Sequence, residues 1–161
     1  TALTLSSLAG LPVKAADVGD DVVDPVNAKA NIGVNPRTQR LYSCQTLANC
    51  ISVSAIKNPS QFGAPWDYTS ATKDEEAAWA ALKRAVEADE SLKVVKVDDS
   101  KKYLHAISPS KVPKNGIDDV EFLLIPSEKI LTYRSASRSN VYVYPYQTAI
   151  SDGGNNKKRM K

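Results

Sequence analysis

The chain has 161 residues, a length that suits one domain, with 42% hydrophobic and 24% charged residues. A domain of that size takes roughly two-thirds of its unfolded surface out of water, so neither a metal nor a disulfide is required to hold it. Basic residues exceed acidic ones by only three, which excludes the concentrated basic face expected of a nucleic-acid binder.

Residues 1–13 are uncharged and moderately apolar. The stretch is far too short to span a bilayer, yet its size suits the hydrophobic core of an export signal. Val13-Lys14-Ala15 places small residues where a signal peptidase inspects them, although the basic segment usual in front of such a core is missing. Two readings stand: the lumen-directing half of a bipartite plastid leader, or an apolar arm that docks on the domain or on a partner. Residues 16–40 read as a linker, acidic at Asp17, Asp20, Asp21 and Asp24 and broken by Pro25, Gly33 and Pro36. Such a segment buries little by itself and is expected to lie extended or to drape over a partner. Residues 1–40 are therefore leader-like segment and linker, and 41–161 the globular domain.

Residues 41–56 hold Cys44, Cys50 and a short strand candidate at 51–56, and residues 57–70 form a loop with Phe62, Pro65, Trp66 and Tyr68. One helix follows. Thr72 and Glu75 make a capping box, Asp74, Glu75 and Glu76 occupy the first turn, and Ala78, Trp79, Leu82, Ala85 and Val86 form one apolar stripe. The helix is expected to start at 72–74 and end near 88–90. Strand candidates at 92–97, 103–108, 117–125 and 129–137 are joined by connections too short for a crossover helix. A fifth, at 140–144, stops at Pro145, and the tail from Ser151 offers little to pack. The expected fold class is α+β: an antiparallel meander of four to five strands with one main helix on a face and an extended N-terminal arm.

Three stretches together resemble one family, domain of unknown function fourteen-ninety-nine. They are the run 44–52 with Asn49-Cys50-Ile51-Ser52, the Ile117-Asp118-Asp119-Val120-Glu121-Phe122 strand, and Arg134-Ser135-Ala136-Ser137-Arg138. Asp152, Gly154, Asn156, Lys157, Lys158 and Arg159 look like the family's closing segment, displaced by a Tyr-rich insert at 139–150. The resemblance covers about residues 41–160. It implies no assigned reaction, and implies membership of a group found in bacteria and in plastids of algae and plants.

The chemistry-bearing groups are few. Cys44 and Cys50 are near enough in sequence for a disulfide if the local turn brings their α-carbons together. An exported domain favours that bond; buried thiols are the alternative. Two Cys and one His are too few for a zinc site, and the spacing is wrong for a dithiol catalyst. His105, the one histidine, has no nominated nucleophile beside it and reads as structural. Alternation places Arg134 and Arg138 on one strand face, opposite either Asp118 or the Asp119 and Glu121 pair. That arrangement reads as a charge-paired sheet or as an anion or partner site, since guanidinium forks suit carboxylate and phosphate. Glu87 or Glu90 with Asp98 and Asp99 reads as solvated acids. Tyr142, Tyr144 and Tyr146 are either core residues or partner contacts. The terminal run Lys157-Lys158-Arg159-Met160-Lys161 is a solvated tail or a contact for anionic lipid or an acidic surface.

No catalytic, cofactor-binding or metal-ligating set emerges. The expected function is a non-catalytic accessory subunit in the thylakoid lumen of a plastid. It would dock peripherally, without spanning the membrane, on a photosynthetic complex: a photosystem or its antenna. Its contacts would come from the linker, the insert and the Arg134/Arg138 pair. One alternative is a small-ligand domain holding a lipid or pigment among Trp66, Trp79 and Phe122; an enzyme is the other.

Overall fold

A computed structural model describes residues 31–45, 48–143 and 148–161. The leader-like stretch, most of the linker, Tyr144 and Tyr146 lie outside the described residues. The fold is α+β: a six-stranded antiparallel sheet with one main helix. Its strands are β1 (Cys50–Ser52), β2 (Trp66–Asp67), β3 (Lys93–Asp98), β4 (Tyr103–Pro109), β5 (Ile117–Ile125) and β6 (Ile130–Ser137). The spatial order is β1-β6-β5-β4-β3, and β2 pairs with the start of β6 on the edge that β1 uses further along.

The meander β3 to β6 follows from alternating apolar residues between short polar turns. In β5, Val120, Phe122 and Leu124 point to one face and Asp119, Glu121 and Leu123 to the other. The first face packs with Leu104 and Ala106 of β4 and Leu131 and Tyr133 of β6 under the helix α1 (Glu75–Ala88). Trp79 and Val86 of α1 are buried there with Ile51 and Met160. Ala85, expected on the same stripe, is exposed, because only a narrow face of the helix meets the sheet.

The helix begins slightly later than its capping box suggests. Asp74 is the N-cap and accepts a hydrogen bond from the Glu76 N–H at 3.1 Å. The Thr72 hydroxyl accepts from the Asp74 N–H instead, and the Thr72 N–H returns to the Tyr68 carbonyl. Thr72 thus closes the preceding turn and leaves the helix to Asp74, a residue type at least as good at that position.

Other boundaries also move. The strand expected at 51–56 leaves the ladder after Ser52, whose hydroxyl accepts from the Ser54 N–H while its carbonyl accepts from Ala55. The 57–70 loop contributes β2, with Trp66 opposite Leu131. Pro126–Glu128 is a short 3-10 turn closed by Lys129 at φ 60°, so β6 starts at Ile130. The fifth strand of the meander does not form. Its residues build β7 (Tyr142–Val143), which pairs with β8 (Thr148–Ala149) as a separate two-stranded ribbon. The free edge of β6 is already taken by β1 and β2, so the chain after Ser137 has no ladder to join.

The tail departs most from expectation. Residues 155–159 form a short helix, α2 (Asn155–Arg159), and Asn156 and Met160 are buried against β1 and β6. At the other end, Val34 bridges Leu41, and both pack on Tyr103 and Leu123 across the face opposite α1.

Candidate functional site

Two polar clusters flank the same part of the sheet, one on each face. On the face opposite α1, Glu121 is fully buried and accepts three hydrogen bonds. Tyr103 Oη donates at 2.8 Å, Arg134 Nη1 at 2.7 Å and the Gly33 N–H at 2.5 Å. Two residues along β5, Asp119 accepts from His105 Nε2 at 2.8 Å and from Nε and Nη2 of Arg138, each at 2.8 Å. A carboxylate only accepts, so His105 carries its proton on Nε2. The register makes these partners. Glu121 lies opposite both His105 and Arg134, and Asp119 lies opposite Ile107 and Ala136, one step from His105 and Arg138.

Burial pushes the Asp119 carboxyl up, but the bonds from Arg138 and His105 outweigh it and hold the group below its ordinary value. Burial, with the Glu121 charge beside it, drives the Tyr103 hydroxyl far above its ordinary range, so it stays a donor. Arg134 is therefore no open anion site: its guanidinium is buried and committed to Glu121. Arg138 is about one-third exposed and forks onto Asp119.

The second cluster lies on the α1 face and binds the tail. Asp118 accepts from Ser137 Oγ at 2.6 Å and from Arg159 Nη1 at 3.0 Å. Arg159 also reaches Ser135 and, through Nη2, Ser108. Asn156 donates to the Asn49 carbonyl, Ser137 Oγ and Asp152 Oδ2, and accepts from Ser135 Oγ. Asp152 caps this turn by accepting from the Gly154 and Asn156 N–H groups. Asn49 completes the cluster, accepting from the Asp152 N–H at 2.8 Å and donating to Asn140 and the Ile150 carbonyl.

This geometry bears on chemistry directly. The His105–Asp119 pair is the one base-like constellation in the sheet, while Ser108, Ser135 and Ser137 project from the other face. Strand alternation thus separates the histidine from these three serines by the thickness of the sheet. Asp98 and Asp99 are held low as well, Asp98 by hydrogen bonds from Ser100 and Lys101, Asp99 by Lys83 and Trp79. Such ionised carboxylates are the opposite of what a general acid requires. Among the described residues, no group of three or more His, Cys, Asp or Glu is placed to hold a metal ion. Nor, among them, is any helix long and apolar enough to cross a membrane.

The remaining candidates fall in different places. Cys44 and Cys50 are joined in a disulfide with their α-carbons 5.9 Å apart. Tyr142 is exposed on the ribbon with Val141 and Val143, well away from a core role. Trp66 lies 4.7 Å from Tyr133 and 6.2 Å from Phe122 between ring centres, and Trp79 is buried with its Nε1 donating to Asp99. Of the three aromatics named for a ligand space, Trp79 and Phe122 are buried in the core, while Trp66 is part exposed at the edge of the sheet. An open cleft of about 540 Å³ lies elsewhere, lined by Leu41, Tyr42, Val53 and Ile56 among others.

The fold and its paired polar clusters define a small α+β domain closed by its own C-terminal turn. Residues 40–161 match the family described as protein of unknown function, DUF1499, and the chain belongs to that family. No curated protein and no solved structure matches it. Residues from the stretches that carried the resemblance meet in space: Asn49, Asp118, Asp119, Glu121, Arg134, Ser135, Ser137, Arg138, Asp152, Asn156 and Arg159 all take part in the two clusters, together with residues of β4.

Proposed function

We propose that the chain is a non-catalytic accessory subunit that attaches to a larger protein assembly through the β7–β8 ribbon. In its specific form the assembly is a photosynthetic membrane complex, met from the lumenal side of the thylakoid without spanning it. One observation carries the attachment: Val141, Tyr142, Val143 and Ile150 are each 37–48% exposed on or beside a two-stranded ribbon outside the main sheet. A lone two-stranded ribbon is marginal in water, and apolar side chains of this kind gain by burial against a partner's apolar surface. The clusters of the domain support the same reading, because their charges are spent on one another and on the tail.

The test is copurification from membranes solubilised in mild detergent. The parent chain is expected to migrate with a photosynthetic complex. A variant carrying Val141→Thr, Tyr142→Thr and Val143→Thr, with an unchanged circular dichroism spectrum, is expected to run free. A parent that runs only as a free monomer overturns the reading. A triple variant that stays bound moves the contact away from the ribbon and overturns this assignment of it.

A further inference from the structure

We propose that the Cys44–Cys50 disulfide is a redox latch on the C-terminal segment: reducing it frees residues 150–160 from the sheet while β3 to β6 stay folded. The link is Asn49, the residue before Cys50. Its backbone is left-handed, at φ 54°, a conformation unusual for a residue with a side chain though least so for Asn. In that conformation it holds both the sheet and the tail. Its carbonyl accepts from the Ser137 N–H at 2.9 Å and from Asn156 Nδ2 at 3.0 Å. Its side chain accepts from the Asp152 N–H and donates to the Ile150 carbonyl at 2.9 Å and to Asn140.

Cys50 is fixed on one side of Asn49, buried in β1 opposite Ala136. Cys44, on the other side, is in no strand and only partly buried, so the S–S bond ties it to the sheet. Opening that bond unties Cys44 from β1 and removes a constraint on the left-handed φ of Asn49, the residue beside Cys50. Elsewhere the tail is held by Arg159 on Asp118, Ser135 and Ser108, by Asn156 on Ser135 and Ser137, and by buried Met160. Asn49 anchors the 150–156 stretch that leads into these contacts. α2 has five residues, too few for an isolated helix in water. The β4–β5 and β5–β6 ladders do not pass through the loop.

The electron donor is a dithiol. Its thiolate attacks the more accessible Cys44 Sγ, the S–S bond breaks, and Cys50 Sγ leaves as a thiolate that takes up a proton. The second thiol of the donor then closes onto the first, releasing Cys44 as a thiol. Two electrons and two protons end on the chain, and the donor ends as a disulfide.

Hydrogen exchange of the full chain, oxidised and after treatment with dithiothreitol, tests this. Reduction is expected to speed exchange at residues 150–160 by on the order of tenfold or more, leaving the β4 and β5 amides close to their oxidised rates. Cys44→Ser with Cys50→Ser should reproduce the reduced pattern without reductant. Asn49→Ala should open the same residues in the oxidised chain. Unchanged exchange at 150–160 on reduction overturns the latch. So does equal acceleration across every strand, which would make the disulfide a support of the whole fold, and so does an Asn49→Ala chain whose tail stays protected.

Discussion

Asp119 shows what single residues do in this sheet. It is nearly excluded from water, and burial alone would favour its protonated form. Arg138 and His105 reverse that and hold its folded value below the ordinary one. A depressed folded value stabilises the native state above the unfolded carboxyl value of about 4, and the contribution is lost as pH falls through the folded value. Urea midpoints of the parent should therefore fall as pH is lowered below about 4, and Asp119→Asn should flatten part of that fall. An Asn variant with the parent's acid slope would show that Asp119 titrates alike in both states. Strand alternation made Arg134 and Arg138 legible as one face of their strand facing acidic partners, but whether they met Asp118 or the Asp119 and Glu121 pair depended on register. Register is a three-strand property that no single stretch carries.

At the scale of elements, what is written locally was readable and what is closed over distance was not. The helix and the four central strands announce themselves through apolar periodicity and polar turns, and their ends move by only a residue or three. The helix start was ambiguous because two capping signals overlap, Thr72 with Glu75 and Asp74 with the Glu76 N–H. The structure gives the cap to Asp74, and the energetics should follow. Asp74→Ala is expected to cost about 0.5–2 kcal/mol of unfolding free energy, and Thr72→Ala distinctly less. Denaturant titration of the two variants side by side decides the matter; equal losses would return the cap to Thr72. The edge strands were harder to see. β1 and β2 are three and two residues long, too short for any period to show, and each exists only because the edge of β6 is there to receive it.

At the scale of the molecule, the tail is the part that a linear reading loses, because its partners lie between 19 and 107 positions away. Asp152 and Asn49 are 103 positions apart, and Arg159 and Asp118 are 41 apart. The run of basic residues at the end looked like a solvated tail, yet Arg159 is the counter-charge of a carboxylate with 1% side-chain exposure. The family's signature stretches are then readable as the parts of one clasp, holding the last turn of the chain to the sheet. That reading has an energetic consequence. Arg159→Met would leave Asp118 buried with Ser137 as its remaining partner, and losing one member of a buried pair costs about 3–5 kcal/mol. Asp118→Asn would remove the charge that Arg159 answers, so the double variant should cost clearly less than the two single losses added together. Urea unfolding of the four proteins measures the coupling. Additive losses would mean that Arg159 and Asp118 do not sense each other, and the clasp would have to rest on Asn156 and Met160 alone.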